Sequence, residues 1–199
     1  MQLNNKKWCG IVALLAAYAA APVSGSTATT RDDPITWSID ASRSEARFTV
    51  TKLGFENVTG VFRESEGEIR YDPDRPQESS VNWRVRVASV VTDATNRDRA
   101  LQGREYFDAQ RHPYLEFTSR AVRRLEDGRL EVSWQLTMRG VTRPLVTVVR
   151  HVPTGVHPTF ETAFEVDRYD FGIAGGTVMG RLIGRTVRVR LVAAVVRRP

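Results

Sequence analysis

The sequence predicts an all-β fold, an antiparallel barrel of about eight strands with a short helical insertion. Three observations predict it. Apolar and polar residues alternate with period two in stretch after stretch from Ile35 onward, and helical periodicity is rare. The strands run to about ten residues, longer than is usual in a sandwich. One face of the alternating segments carries large side chains: Phe48, Phe62, Trp83, Phe117, Trp134 and Phe164. Strand count and spacing alone fit a β-sandwich or an up-and-down barrel; the long strands and bulky face favour the barrel. An eight-stranded barrel either fills with side chains or leaves room for one ligand.

Residues 1–25 read as a secretory signal peptide. Lys6 and Lys7 form its positive end, and Trp8 to Ala21 is an apolar run of the right length. Small residues follow, and cleavage after Ala21 or after Gly25 satisfies the pattern equally. The run is too short to span a membrane, and no later segment reaches spanning length. Residues 26–34 are the expected flexible lead-in, and residues 35–197 the single domain. The only cysteine, Cys9, precedes the apolar run, whereas a lipid-acceptor cysteine would follow it. The mature chain is therefore expected to lack thiols, disulfides and thiolate metal sites.

Thr36 to Asp40 and Ser44 to Thr51 read as a first hairpin, with Ala46, Phe48 and Val50 on one face of its second strand. Val58 to Tyr71 reads as one long strand or two with a bend at Gly67, ended by Asp72-Pro73-Asp74. Ser79 to Thr92 places Val81, Trp83, Val85 and Val87 opposite Asn82, Arg84 and Arg86. Ala94 to Ala109 is the helical exception, with Thr95 or Asn96 as cap, Leu101 on the buried side and Gly103 at the end. Glu105 to Asp108 fits a further turn, and Arg97-Asp98 reads as a local ion pair or a cap.

Tyr114 to Arg123 puts Leu115, Phe117 and Ser119 on one side, and a turn at Asp127-Gly128 links it to Leu130–Met138. There Leu130, Val132, Trp134, Leu136 and Met138 share a face. Arg139-Gly140-Val141-Thr142 reads as a tight connection in which Gly140 supplies a backbone conformation other residues avoid. Pro144 to Val152, Thr159 to Val166 and Arg185 to Val196 complete the set, the last with Val187, Val189, Leu191 and Ala193 in phase.

Chemistry-bearing motifs are few. The net charge is +6, falling to about +4 without the two leader lysines. Arginines alternate with apolar residues instead of clustering, which argues against nucleic-acid binding. His112, His151 and His157 show no metal-ligand spacing, and no nucleophile elbow or phosphate loop is present. Gly172-Ile173-Ala174-Gly175-Gly176 fits a loop between strands. Neither catalytic residues, nor a metal, nor a required cofactor is expected, and the chain reads as a binding protein, not an enzyme.

Seven segments in order resemble the YceI-like family, secreted polyisoprenoid-binding proteins of bacteria. They are Trp37–Asp40, Phe48–Gly54 with Val58–Phe62, Ser79–Val81, Arg97–Leu101 with Tyr106–Asp108 and His112-Pro113, Phe117–Ser119, Leu136–Pro144, and Arg168–Gly172. Leu136–Pro144 is the most specific. In this sequence Lys52 and Ala100 stand where the family often has His. The resemblance implies an extended lipocalin-like barrel in the periplasm, or secreted, often as a homodimer. It also implies an isoprenoid quinone or polyprenyl lipid along the barrel axis, carried or stored.

The expected lining residues are Phe48, Phe62, Trp83, Val85, Leu101, Phe107, Phe117, Trp134, Leu136 and Phe164, with Leu101 and Phe107 suited to cap one mouth. Such a wall solvates a prenyl chain at about 25 cal/mol per Å² of apolar surface buried. Two other readings stay open: a periplasmic enzyme acting on an isoprenoid or other lipid, and a filled barrel acting through its surface in stress or interaction.

Overall fold

The computed structural model describes residues 35–153, 158–176 and 178–197. The expected leader and lead-in, and His157, lie outside the described residues. The strands are β1 (Ile35–Ile39), β2 (Glu45–Lys52), β3 (Glu56–Phe62), β4 (Ser65–Tyr71), β5 (Ser80–Arg86) and β6 (Val90–Val91). Helix α1 (Thr95–Gln102) follows, and then β7 (Tyr114–Arg124), β8 (Leu130–Met138), β9 (Val141–Val152), β10 (Thr159–Asp167) and β11 (Ile183–Arg197).

These eleven segments make eight antiparallel staves, because β1 and β2, β3 and β4, and β5 and β6 are each one long strand bent in the middle. β11 closes the barrel. Its Val195–Arg197 end pairs with β1 and its Ile183–Val192 stretch pairs with β2. The expected β1–β2 hairpin is thus corrected: the two lie end to end along the same edge. The join is chemical. Ser44 Oγ accepts the Ala194 N–H (3.0 Å) and donates to the Ala194 carbonyl (3.2 Å), filling a rung of the ladder. Asp40 accepts the Ser42 N–H (3.0 Å) and folds the intervening residues into a turn.

The second bend falls at Arg63-Glu64, not at Gly67. Ser89 organises it: its carbonyl accepts the Arg63 N–H and its hydroxyl accepts the Glu64 N–H. Gly67 instead allows β4 to approach β5, since a Cβ there would lie 2.3 Å from the Asn82 carbonyl oxygen.

Inward phase follows the sequence alternation closely. β8 alternates buried and half-buried residues along its whole length. In β7 a register shift between Ser119 and Ala121 moves the buried phase from Leu115 and Phe117 to Val122. The β8–β9 connection is the two-residue turn Arg139-Gly140, both at positive φ (50° and 74°), as an I′ hairpin requires. β9 and β10 pair only through Arg150–Val152 and Thr159–Glu161. Pro144, which has no N–H to give, sits in the stretch of β9 without a β10 partner.

Helix α1 is capped at Ala94, whose side chain makes no capping bond, so Thr95 and Asn96 are not the cap. The Arg97-Asp98 pair does not bond to itself either. Both side chains converge on Thr92: Asp98 accepts its N–H (2.8 Å) and hydroxyl (2.5 Å), and Arg97 donates to its hydroxyl (2.8 Å) and carbonyl. Gly103 ends the helix, and Phe107 donates back to the Leu101 carbonyl (3.0 Å), which folds the rest of the insertion over one end of the barrel.

Candidate functional site

A cavity of about 440 Å³ occupies the end of the barrel beneath α1. That volume is in the range of small-molecule sites, roughly 300–1,000 Å³. The wall is built from the inward phase of several strands. β2 gives Phe48 and Val50, and β11 gives Val187 and Val189. Val85, Leu115, Leu136, Met138 and Phe164 continue it around the barrel. Phe107, from the insertion, meets Phe62 (centroids 5.7 Å apart) and Phe48 (6.5 Å), so the cover is pinned by an aromatic cluster. Gly60 makes this possible: a Cβ there would lie 2.3 Å from the Phe48 ring.

Eight of the ten expected lining residues meet around this space: Phe48, Phe62, Val85, Leu101, Phe107, Phe117, Leu136 and Phe164. Trp83 and Trp134 do not. They border a separate void of about 50 Å³ toward the other end, with Ile69, Val122, Val132, Val149 and Phe160. Phe117 stands between the two regions, with ring centroids 6.2 Å from Trp83, 6.5 Å from Trp134 and 6.4 Å from Phe164. Alternation gives the phase of a side chain but not its depth along the axis, and depth separates the tryptophans from the rest.

The polar part of the lining consists of Arg47, Lys52, Asn96, Arg97, Tyr106 and Arg168. Sequence reasoning missed this set. Lys52 was legible, because it continues the inward phase of Ala46, Phe48 and Val50. Arg168 falls in the resembling Arg168–Gly172 segment and two residues past Val166, but neither signal says that its guanidinium is buried against the cavity.

Arg168 is 4% exposed, and its guanidinium ties Ile173-Ala174 to Gly180 and Ile183-Gly184. It donates to the carbonyls of Gly184 (2.9 Å), Ile173 (2.6 Å), Ala174 (2.7 Å), Gly180 (2.6 Å) and Ile183 (2.9 Å). Burial raises the Tyr106 phenol above its ordinary value against the opposing charge of Arg168, so it stays a neutral donor. Its hydroxyl is 3.4 Å from the Gly175 carbonyl.

Neither histidine nor carboxylate is among the described lining residues. His151 stacks on Phe160 at the far end (4.9 Å), and Asp170 is exposed. Among the described residues no group of three or more His, Cys, Asp or Glu side chains is placed to hold a metal. No helix among them is long and apolar enough to cross a membrane.

A closed antiparallel barrel with an apolar, ligand-sized hollow under a helical cover defines a lipocalin-like binding fold. The family model described as "YceI-like domain" matches residues 37–195, and the chain belongs to that family.

A UPF0312 protein of Pseudomonas fluorescens is 30% identical over 136 residues, covering 63% of this chain and 69% of its own. One from Shewanella baltica is 29% identical over 169 residues, covering 81% and 85%. Among solved structures, BcnA of Burkholderia cenocepacia superposes with a TM-score of 0.73 at 20% identity, over 78% of this chain and 98% of that one. A polyisoprenoid-binding domain from Saccharophagus degradans, implicated in plant cell wall breakdown, gives 0.70 at 18% identity, over 82% and 99%.

Proposed function

We propose that this protein binds a long isoprenoid lipid, quinone-like or polyprenyl, inside its barrel, and carries or stores it in the periplasm without transforming it. The observation that carries this reading is the 440 Å³ hollow with apolar walls. An apolar chain entering it loses contact with water and gains dispersion contacts with Phe, Leu and Val side chains. The polyisoprenoid-binding neighbour of the same fold supports the ligand class. The signal-peptide-like leader supports export.

The test is native mass spectrometry of the gently purified protein, followed by lipid extraction. An added mass of prenyl-lipid size is the expected result. A bare chain that stays bare after incubation with a polyprenol and quinone extract overturns the reading.

A further inference from the structure

We propose that the preferred ligand is an anionic amphiphile, a single apolar chain with a phosphate or carboxylate head group seated against the cationic side chains of the cavity wall. This deepens the lipid-binding reading and rests on it. The cavity wall is apolar apart from six polar residues, four of them cationic. Arg47, Lys52, Arg97 and Arg168 border it, and Asp and Glu are missing from the described lining. Two of these cations already have carboxylate partners: Arg47 lies 2.7 Å from Glu45, and Lys52 lies 3.4 Å from the exposed Glu56.

Arg97 and Arg168 differ. Among the described residues neither lies within ion-pair distance of a carboxylate. Arg97 spends its donors on Thr92, whose hydroxyl donates in turn to Asp98, so the carboxylate reaches Arg97 only through that hydroxyl. Arg168 spends all of its N–H groups on five carbonyls and the Tyr169 hydroxyl. Those dipoles solvate its charge but do not cancel it. The guanidinium cannot swing out to meet solvent or a surface acid, so it acts on the cavity as a fixed positive charge.

A buried charge without a counter-ion is costly, and its attraction for an opposite charge grows as water is excluded. The neighbouring Asp167 feels the Arg168 charge but is bound by Arg185 and the Tyr169 N–H, so a head group bearing negative charge supplies the counter-charge that the cavity itself lacks. The half-buried Lys52 and Arg97 also border the cavity, and contact with the head group exchanges the Lys52–Glu56 pair and the Arg97–Thr92 bonds for bonds to the ligand. A neutral alcohol or quinone gains little from this arrangement, and a cationic amphiphile is repelled.

The experiment compares farnesyl phosphate with farnesol, and both with inorganic phosphate, by calorimetric titration of the delipidated protein at low and high salt. Farnesyl phosphate is expected to bind at least about tenfold tighter than farnesol at low salt, with the gap narrowing as salt rises. In the double variant Lys52→Gln, Arg97→Gln the phosphate-over-alcohol ratio should fall severalfold; both side chains lie outside the Arg168 cage, so folding is checked by circular dichroism. Equal or tighter binding of farnesol overturns the anionic preference and leaves lipid binding standing. Inorganic phosphate competing as well as farnesyl phosphate overturns the amphiphile, because the site is then an ion site. Failure of both farnesyl compounds to bind overturns this proposal together with the lipid-binding reading.

Discussion

The two ends of the barrel use the same strands for opposite purposes. At the end away from α1, Trp83, Trp134, Tyr71 and Phe160 meet near the centre and leave about 50 Å³. The Trp134 indole N–H donates to Thr147 (2.9 Å), which fixes one ring in place. At the end beneath α1, the aromatic residues Phe48, Phe62 and Phe107 gather against the cover, and the neighbouring positions are Val50, Val187 and Val189, too short to fill the space. The result is about 440 Å³ of hollow. Side-chain size along a common inward phase thus divides one barrel into a packed part that holds the fold and a hollow part that receives a ligand.

The largest test of that division is paired truncation. Trp134→Ala removes a buried ring and leaves Thr147 without its donor, and should cost about 3–5 kcal/mol by urea unfolding. Phe107→Ala borders space that is already empty and should cost less, below about 3 kcal/mol, while weakening lipid binding. The reverse ranking would show that the hollow end, not the packed end, holds the barrel together.

A second variant asks what separates the two regions. Phe117 and Leu191 stand at the boundary, and Leu191 borders both voids. Phe117→Leu should join the voids at a cost of about 1–2 kcal/mol. Affinity for a chain longer than farnesol, such as solanesol, should then rise relative to farnesol in a competition assay. An unchanged ratio would mean that Phe117 does not limit chain length.

Much of this architecture was legible as phase. The alternation in β5, β8 and β11 named the inward residues, and Gly140 named the tight turn. What stayed hidden depended on partners distant in sequence. β1 and β2 look like a hairpin until β11 is known to be long enough to pair with both, and the role of Ser44 exists only because Ala194 faces it. The tryptophans were placed on the inward face, but alternation says nothing of depth, because depth is set by register and stagger across the whole sheet. Arg168 shows the same limit: its cage comes from carbonyls up to sixteen residues away, on a segment without periodicity.

The smallest effect concerns pH, and it too distinguishes the ends. His151 packs against the Tyr71 and Phe160 rings of the packed end, at centroid distances of 5.4 and 4.9 Å. Burial lowers its pKa below the ordinary 6.5, and the charge of Arg124 adds to that. The folded state therefore binds fewer protons than the unfolded state in the window just below 6.5. Stability is fully present above that value and is lost as pH falls through it toward the lowered folded value. Asp40 titrates in a separate window. Ser42 and Arg43 hold its carboxyl at about 2, so its contribution fades only as pH falls from 3.8 toward that value.

A thermal melt series from about pH 7.5 to 5 should thus show a shallow decline in Tm that His151→Phe flattens. The described lining of the hollow end has no histidine or carboxylate to titrate in that interval. Farnesol affinity should accordingly stay level while Tm falls. A parallel loss of affinity would show that the packed end controls the cavity, and that the division between them is not the boundary drawn by Phe117.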